Sequence, residues 1–237
     1  MKLRLEILVL ISLLFILALP MGIYSTILED NNITQNNTTI LNVPDVRQPS
    51  NSSSGASALQ AVLAYYGTDT SMDTLINMTN TTENGTTPEN IAQTARDSGL
   101  TAEVKENMTL KELNDNINEG IPTIVLCQAW GDNNTGNWTD VTGNGHYMVV
   151  IGMDSENIYL EDPAVFGSKG YIPLKEFLDR WHEHLLENEN GNETQNNTGN
   201  ETENSTENNT SATLMHHLGI VITGGEAVTF PPFIKIG

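Results

Sequence analysis

Four polar residues at fixed intervals most constrain the fold of this chain: Gln48, Ser54, His146 and Asp162. Ser54 and Gly55 stand at the start of a predicted helix, and Gln48 lies six residues upstream of Ser54. His146 opens a predicted strand after a glycine-rich turn, and Asp162 follows the next predicted strand. A fold that unites these residues must pack the amino end of a helix against the ends of two strands.

These residue types match the needs of acyl transfer through a nucleophile. A nucleophile at a helix N-terminus experiences the partial positive charge of the helix. A histidine must accept and return its proton, and a carboxylate must orient that histidine. A side-chain amide stabilises the developing oxyanion. The pattern therefore predicts Ser54 at the nucleophile position, His146 as base and acid, Asp162 as its orienting group and Gln48 as the oxyanion donor.

Apolar periodicity and end signals predict helices at 54–66, 87–99 and 109–120, and a fourth helix from Pro173 through Leu185. The predicted strands are 121–130, 146–153, 157–161, 169–172 and 214–223. Helices come first and an antiparallel series of strands follows. The predicted fold class is therefore α+β, with an N-terminal helical half packed on a C-terminal antiparallel sheet half.

The N-terminus has the composition of an export signal. Lys2 and Arg4 precede an apolar run from Ile7 to Leu19. This run is shorter than the roughly 20 residues of a membrane span, but the following residues lengthen it to a marginal anchor. Residues 1–25 are therefore predicted to be either a signal peptide or an N-terminal membrane anchor, and both alternatives place the rest of the chain outside the cell.

The remaining segments differ in polarity. Residues 26–40 form a predicted polar linker, residues 41–225 a single domain, and residues 226–237 a tail. Within the domain, residues 188–211 consist almost entirely of Asn, Glu, Thr and Ser. Such a segment cannot bury enough apolar surface to offset its ordering entropy, so a disordered insertion is predicted.

Charge and glycosylation motifs narrow the function classes. The formal charge of −20, with 10 Lys and Arg against 30 Asp and Glu, argues against a nucleic-acid partner. The single cysteine, Cys127, excludes an internal disulfide. Sixteen Asn-x-Ser/Thr motifs in a chain with an export signal indicate N-glycosylation at some of them. We expect an extracellular or cell-surface glycoprotein, and its acidity, single cysteine and many glycosylation motifs resemble those of archaeal surface proteins.

Several motifs occur together in one order. Gln48 stands six residues before Ser54-Gly55, which open a helix ending in Tyr65-Tyr66-Gly67, and Asp162-Pro163 follow His146 by sixteen residues. In this arrangement residues 41–223 resemble the double-glycine-leader (bacteriocin-processing) family of papain-like cysteine peptidases and its exported relatives. The resemblance implies a papain-like fold, an extended peptide as partner and no cofactor.

The chain departs from this family at the nucleophile, because Ser54 stands where the family has cysteine. A papain-like site works from a preformed thiolate–imidazolium pair, whereas a serine hydroxyl does not ionise near neutral pH. One prediction is a domain that binds extended peptides in a papain-type cleft with weak or no proteolysis. The alternative is an active peptidase that uses Ser54 and His146, with Asp162 and a Gln48 oxyanion hole.

Other candidate sites are weaker. Cys127 lies among apolar strand residues and is expected to be buried, and residues 132–137 lack the register and distal Glu of a calcium loop. No metal site is expected from the histidines, namely His182, His184, His216 and His217.

The sequence contains no Walker-type motif, so we expect no ATP site in this chain. The membrane is a partner only through an uncleaved N-terminal segment. Three aromatic residues near His146 belong either to a substrate groove or to the core: Trp130, Trp138 and Tyr147.

Overall fold

The computed structural model of the protein describes residues 38–130, 138–165, 167, 169–186, 212–231 and 235. Its helices are α1 Ser54–Tyr65, α2 Met72–Met78, α3 Pro88–Asp97, α4 Leu110–Asn118 and α5 Leu174–Arg180. Its strands are β1 Thr101–Lys105, β2 Thr123–Gln128, β3 Gly145–Met153, β4 Asn157–Glu161, β5 Gly170–Pro173, β6 His182–Leu186, β7 Ala212–His216 and β8 Gly219–Thr223.

Three predicted segments lie outside the described residues: the N-terminal segment 1–25 with most of the linker, the loop 132–137 and the insertion 188–211. In the part of the chain that the structure describes, no helix combines the length and apolar character needed to cross a bilayer.

A six-stranded antiparallel sheet, in the order β1-β8-β2-β3-β4-β5, forms the centre of the fold. Ile124 and Leu126 of β2 contact the core that contains α1 and α3, whereas Val125 and Cys127 contact the core that contains α4 and α5. Burial on both faces explains the unbroken apolar run of this strand. The predicted α+β class is confirmed, with helices covering both faces of the sheet.

Helix α1 is buried on nearly every side. Ala58, Leu59, Val62 and Leu63 have no exposed surface. The helix ends before Gly67, whose φ of +81° lies in the left-handed region that favours glycine. Small and branched apolar residues around the whole helix therefore allow it to lie directly against the sheet, with Ser54 at its amino end in contact with Tyr147 of β3.

The fourth predicted helix is wrong beyond Arg180. Helix α5 ends there, and the chain continues as β6, which pairs with β7 in a separate two-stranded sheet. The spacing of Phe177 and Trp181 fits a helix, and their ring centres do lie 4.9 Å apart in a tilted arrangement. The Trp181 indole N–H, however, donates to the Leu218 carbonyl at 2.8 Å. This distant contact and the β6–β7 pairing override the local periodicity.

Other boundaries also differ from the prediction. The strand predicted at 214–223 is divided into β7 and β8, which belong to different sheets, by His217 with a φ of +48°. Helix α2, strand β1 and strand β6 were not predicted. The helix predicted at 109–120 is present as α4 and begins with a capping box, in which Thr109 and Glu112 each accept the other's backbone N–H.

An N-terminal strap, residues 38–48, runs along the sheet toward the end of β4. A bulge in β3 leaves Ile151 out of the β3–β4 ladder, and its carbonyl accepts the Leu41 N–H at 2.7 Å. The strap passes so close to Gly152 that a Cβ there would lie 2.8 Å from the Thr39 carbonyl oxygen. At its end the Gln48 N–H donates to the Pro163 carbonyl at 2.9 Å.

Candidate active site

His146 and Asp162 form the shortest polar contact of the site. The His146 Nε2 lies 2.6 Å from the Asp162 Oδ1, and the imidazole is almost fully buried. Neighbouring strands bring the two residues together, since His146 belongs to β3 and Asp162 directly follows β4. This contact fixes the ring orientation and leaves Nδ1 as the nitrogen available for proton transfer.

The carboxyl of Asp162 is held in its ionised form. Its partial burial raises the pKa, but the hydrogen bond and charge of His146, together with the Ala164 N–H at 2.9 Å, lower the pKa by more. The net result is a pKa below the usual range for aspartate. An ionised Asp162 accepts the hydrogen bond of the His146 Nε2–H, so it stabilises the tautomer in which Nδ1 is an acceptor.

Ser54 lies at the first residue of α1, beside His146. Its side chain is nearly buried, and its Oγ accepts the N–H of Tyr147, the strand neighbour of His146, at 3.4 Å. Among the described residues, no hydrogen bond joins the Ser54 hydroxyl to the His146 imidazole. The Ser54 oxygen therefore accepts from the backbone of β3, whereas its own hydrogen is not donated to the candidate base.

Gln48 reaches the same end of the sheet through the strap. Its backbone is bonded to Pro163, the residue after Asp162, and its amide oxygen is buried without a hydrogen-bond partner in the described residues. Rotation of the terminal amide by half a turn exchanges this oxygen for the NH2 donors. A buried amide oxygen without a partner is unusual in a folded protein, and the exchanged orientation would place the NH2 donors where the sequence predicts an oxyanion donor.

Trp130 covers the site from the solvent side. Its ring lies edge to face with His146 at 5.8 Å, and 68% of the residue is exposed. Its φ of +57° is rare for a bulky residue and indicates that the surrounding structure determines its position. Tyr147, in contrast, belongs to the core, where its hydroxyl donates to the Thr86 carbonyl at 2.9 Å.

An open pocket of about 530 Å³ adjoins Asp162 and Trp130. The Arg180 guanidinium lies in its wall, 3.6 Å from the centre of the Trp138 ring, and forms an ion pair with Glu176. Its Nε is buried and without a partner in the described residues. The apolar part of the wall consists of Trp138, Met148, Leu160, Tyr171 and Ile172. Of the two alternatives for these aromatic residues, Trp130 fits an exposed groove wall, whereas Trp138 lines the pocket and is buried.

Two residues that hold the site together were not predicted. The Gln128 amide donates to the His182 carbonyl at 3.0 Å and accepts the Asn144 N–H at 3.2 Å, which fixes the turn before His146. Glu161, next to Asp162, is fully buried. Gln128 could have been found from the sequence as the polar residue that ends an apolar strand. Glu161 could have been found as an acidic residue at a strand position that faces the core.

The remaining candidates lie apart from this site. Cys127 is fully buried in β2, and this burial raises the pKa of its thiol. The His182 Nε2 lies 2.9 Å from the Val141 carbonyl oxygen, and the His182 and His216 rings are 6.4 Å apart. Within the described residues, no group of three or more His, Cys, Asp or Glu side chains is arranged to hold a metal ion.

Gly55 permits the close approach of α1 to the site. A Cβ at this position would lie 2.9 Å from the Ile91 Cδ1 and 3.1 Å from the Tyr147 Cδ2. We expect Gly55→Ala to lower the free energy of unfolding by about 1–3 kcal/mol, because α1 and Tyr147 must separate. Urea unfolding measures this loss, with Gly170→Ala as the control, since a Cβ there meets no atom within 4 Å. Equal effects of the two substitutions would contradict this packing.

Comparison with known proteins agrees with this arrangement. The model of the Peptidase C39 family matches residues 42–193. A C39-like peptidase of Bacillus anthracis has a TM-score of 0.53 and 19% identity, over 62% of this chain and 92% of its own. The peptidase domain of Streptococcus ComA, a bifunctional ABC transporter involved in quorum sensing, has a TM-score of 0.51 and 17% identity, over 78% and 98% of the two chains.

A third solved structure is a double-glycine-motif protease from an AMS/PCAT transporter in complex with the leader peptide, with 25% identity, a TM-score of 0.47 and coverage of 60% of this chain and 87% of its own. No curated protein matches the chain. The likeness to the first two structures shows a common fold.

Proposed function

The chain belongs to the Peptidase C39 family, and from this membership we propose that it binds extended peptides in a papain-type cleft with weak or no proteolysis. One observation carries the proposal: the nucleophile position holds Ser54, whose hydroxyl is bonded to the Tyr147 N–H and not to His146. The contact between His146 and Asp162 is present, but within the described residues no hydrogen bond joins the Ser54 hydroxyl to the base that would accept its proton.

The chemistry of serine explains the expected loss of activity. A thiolate forms before attack, whereas a serine hydroxyl must lose its proton to a base during attack. The base must lie within hydrogen-bond reach of that proton. A site shaped for sulfur therefore loses several orders of magnitude with oxygen, which corresponds to roughly 4–7 kcal/mol of activation free energy.

The surface beside the site supports peptide binding. Trp130 and Tyr171 are both more than half exposed and border the pocket next to Asp162. Exposed aromatic rings at the rim of an apolar pocket supply large contact areas and are frequent hot spots in binding. The formal charge of −20 disfavours strongly acidic peptides.

Peptide capture tests this proposal directly. A library of synthetic peptides of mixed sequence is incubated with the native protein, and the retained peptides are identified by mass spectrometry. We expect Trp130→Ala to raise the dissociation constant of a retained peptide about tenfold, as measured by fluorescence anisotropy. Phe230→Ala removes an exposed aromatic ring whose residue is outside the pocket lining and is the matched control. Equal affinities for the two variants, or no retained peptide, would contradict the proposal.

The second candidate function is proteolysis through Ser54, and the 2.6 Å contact between His146 and Asp162 favours it. An intact imidazole–carboxylate pair is the part of a serine triad that accepts the proton. Under this alternative, the native protein cleaves the peptides that it binds, and His146→Ala abolishes the cleavage.

We also propose that the domain acts at the cell surface as an N-glycosylated protein. The acceptor asparagines of all the motifs within the described residues are exposed: Asn51, Asn77, Asn80, Asn84 and Asn107. Exposure is required for modification in a folded domain. Mass spectrometry of the protein from its native source should find glycan on at least one of these residues, and unmodified peptides at all of them would contradict the proposal.

A further inference from the structure

Glu161 is a buried acid that the proposed chemistry does not use. It ends β4 directly before Asp162 and has no exposed surface. Its Oε1 accepts the Val46 N–H at 3.0 Å, whereas its Oε2 is buried without a partner in the described residues. Burial of a carboxyl with one unsatisfied oxygen costs folding free energy, so we expect this residue to have a role that offsets the cost.

The contact of Glu161 lies at the end of the N-terminal strap that carries Gln48. Val46 is two residues before Gln48, and the Gln48 N–H is bonded to the Pro163 carbonyl at 2.9 Å. Glu161 and Pro163 flank Asp162 in sequence. The strap is therefore attached immediately before and immediately after the residue that orients His146. The strap and the catalytic carboxylate are therefore held by one short segment of chain.

We propose that Glu161 is a positioning residue, which fixes the end of the N-terminal strap through the Val46 N–H and thereby presents the Gln48 amide at the oxyanion position. The functional part of this inference rests on the proposed role of Gln48. The structural part, that Glu161 closes the strap, stands on the contact with Val46 and can be tested separately.

The protonation of Glu161 gives the strap a measurable signature. The pKa of Glu161 is raised to about 8, chiefly by burial, which outweighs the lowering by the Val46 N–H and by Lys169; Asp45 and Asp162 add to the rise. The Lys169 ammonium also donates to the Val43 carbonyl of the strap at 2.5 Å. When the strap opens, water reaches Glu161 and its pKa returns toward 4.5.

The consequence follows from proton linkage. Since the open strap releases the Glu161 proton more readily, the equilibrium constant for opening should rise by up to about tenfold per pH unit between roughly pH 5 and 8. Below this range both forms hold the proton, and above it neither does. A contact that involved no titrating group would give a constant independent of pH.

Amide hydrogen exchange tests this signature in the full chain. The opening constants of the Val46 and Gln48 amides, corrected for intrinsic exchange, are measured by NMR across this range. We expect a steep rise in the native protein and in Asp154→Asn, and a flat profile in Glu161→Gln, which keeps the acceptor but cannot titrate. Asp154 is the matched control, because it accepts two backbone N–H groups in the turn before β4. An unchanged slope in Glu161→Gln would overturn the inference.

Kinetics in the Ser54→Cys background test the functional part. There, Glu161→Leu removes the acceptor and should lower kcat about tenfold with KM changed less than about twofold, because an oxyanion donor acts in the transition state. A rise in KM alone would overturn the positioning role. If Ser54→Cys shows no peptidase activity, the proposed oxyanion role of Gln48 fails, and the exchange profiles still decide whether Glu161 closes the strap.

Discussion

The Ser54→Cys variant is expected to cleave peptides at least about 10³-fold faster than the native protein, which corresponds to about 4 kcal/mol of activation free energy. The substituted thiol would stand at the first residue of α1, where the helix dipole stabilises a thiolate, and beside His146, whose ring is already oriented by Asp162. Release of a fluorescent group from a peptide that the native protein retains gives the rate.

Two controls define this result. Alkylation of the thiol should abolish the new activity, and the fully buried Cys127 should not react in the folded protein. Ser54→Ala, which removes the hydroxyl without supplying a thiol, should be as inactive as the native protein. A Ser54→Cys variant with no activity above that of Ser54→Ala would show that the site cannot perform acyl transfer even with sulfur.

The largest expected effect on stability is the pH dependence caused by Glu161. Its pKa is about 8 in the folded protein and 4.5 in the unfolded chain, so folding favours the protonated form. The resulting stabilisation is complete below pH 4.5 and disappears as the pH rises to about 8. We expect the free energy of unfolding to fall by up to about 5 kcal/mol across this range from this group alone.

Urea unfolding at a series of pH values measures this loss, and the difference between the native protein and Glu161→Gln isolates it. Asp162 affects the comparison little, because its pKa is lowered and its contribution is lost only at more acidic pH. The native protein should become less stable than Glu161→Gln as the pH rises. Parallel stability curves for the two proteins would show that Glu161 does not titrate in this range.

The order and spacing of motifs predicted the positions of the candidate site residues better than periodicity predicted the elements. Ser54, His146 and Asp162 lie at the ends of α1, β3 and β4, where the sequence placed them. This succeeds because each of these residues stands beside a local end signal, such as a glycine or proline. Their catalytic roles remain predictions.

Features that depend on distant contacts could not be predicted in the same way. The helix predicted through Leu185 ends at Arg180 because the backbone of β6 pairs with β7, on the far side of an insertion in the sequence. The unpartnered Gln48 amide oxygen and the bond from the Tyr147 N–H to Ser54 are also products of tertiary packing. Local patterns contain no information about which backbone group lies opposite a side chain.

The measurement that tests the central claim most directly is the mass of a peptide recovered from its complex with the native protein after prolonged incubation. Because no hydrogen bond joins the Ser54 hydroxyl to His146 within the described residues, we expect the peptide to be recovered intact. Cleavage products that form with the native protein, and that are absent with His146→Ala, would contradict the claim and establish a serine peptidase.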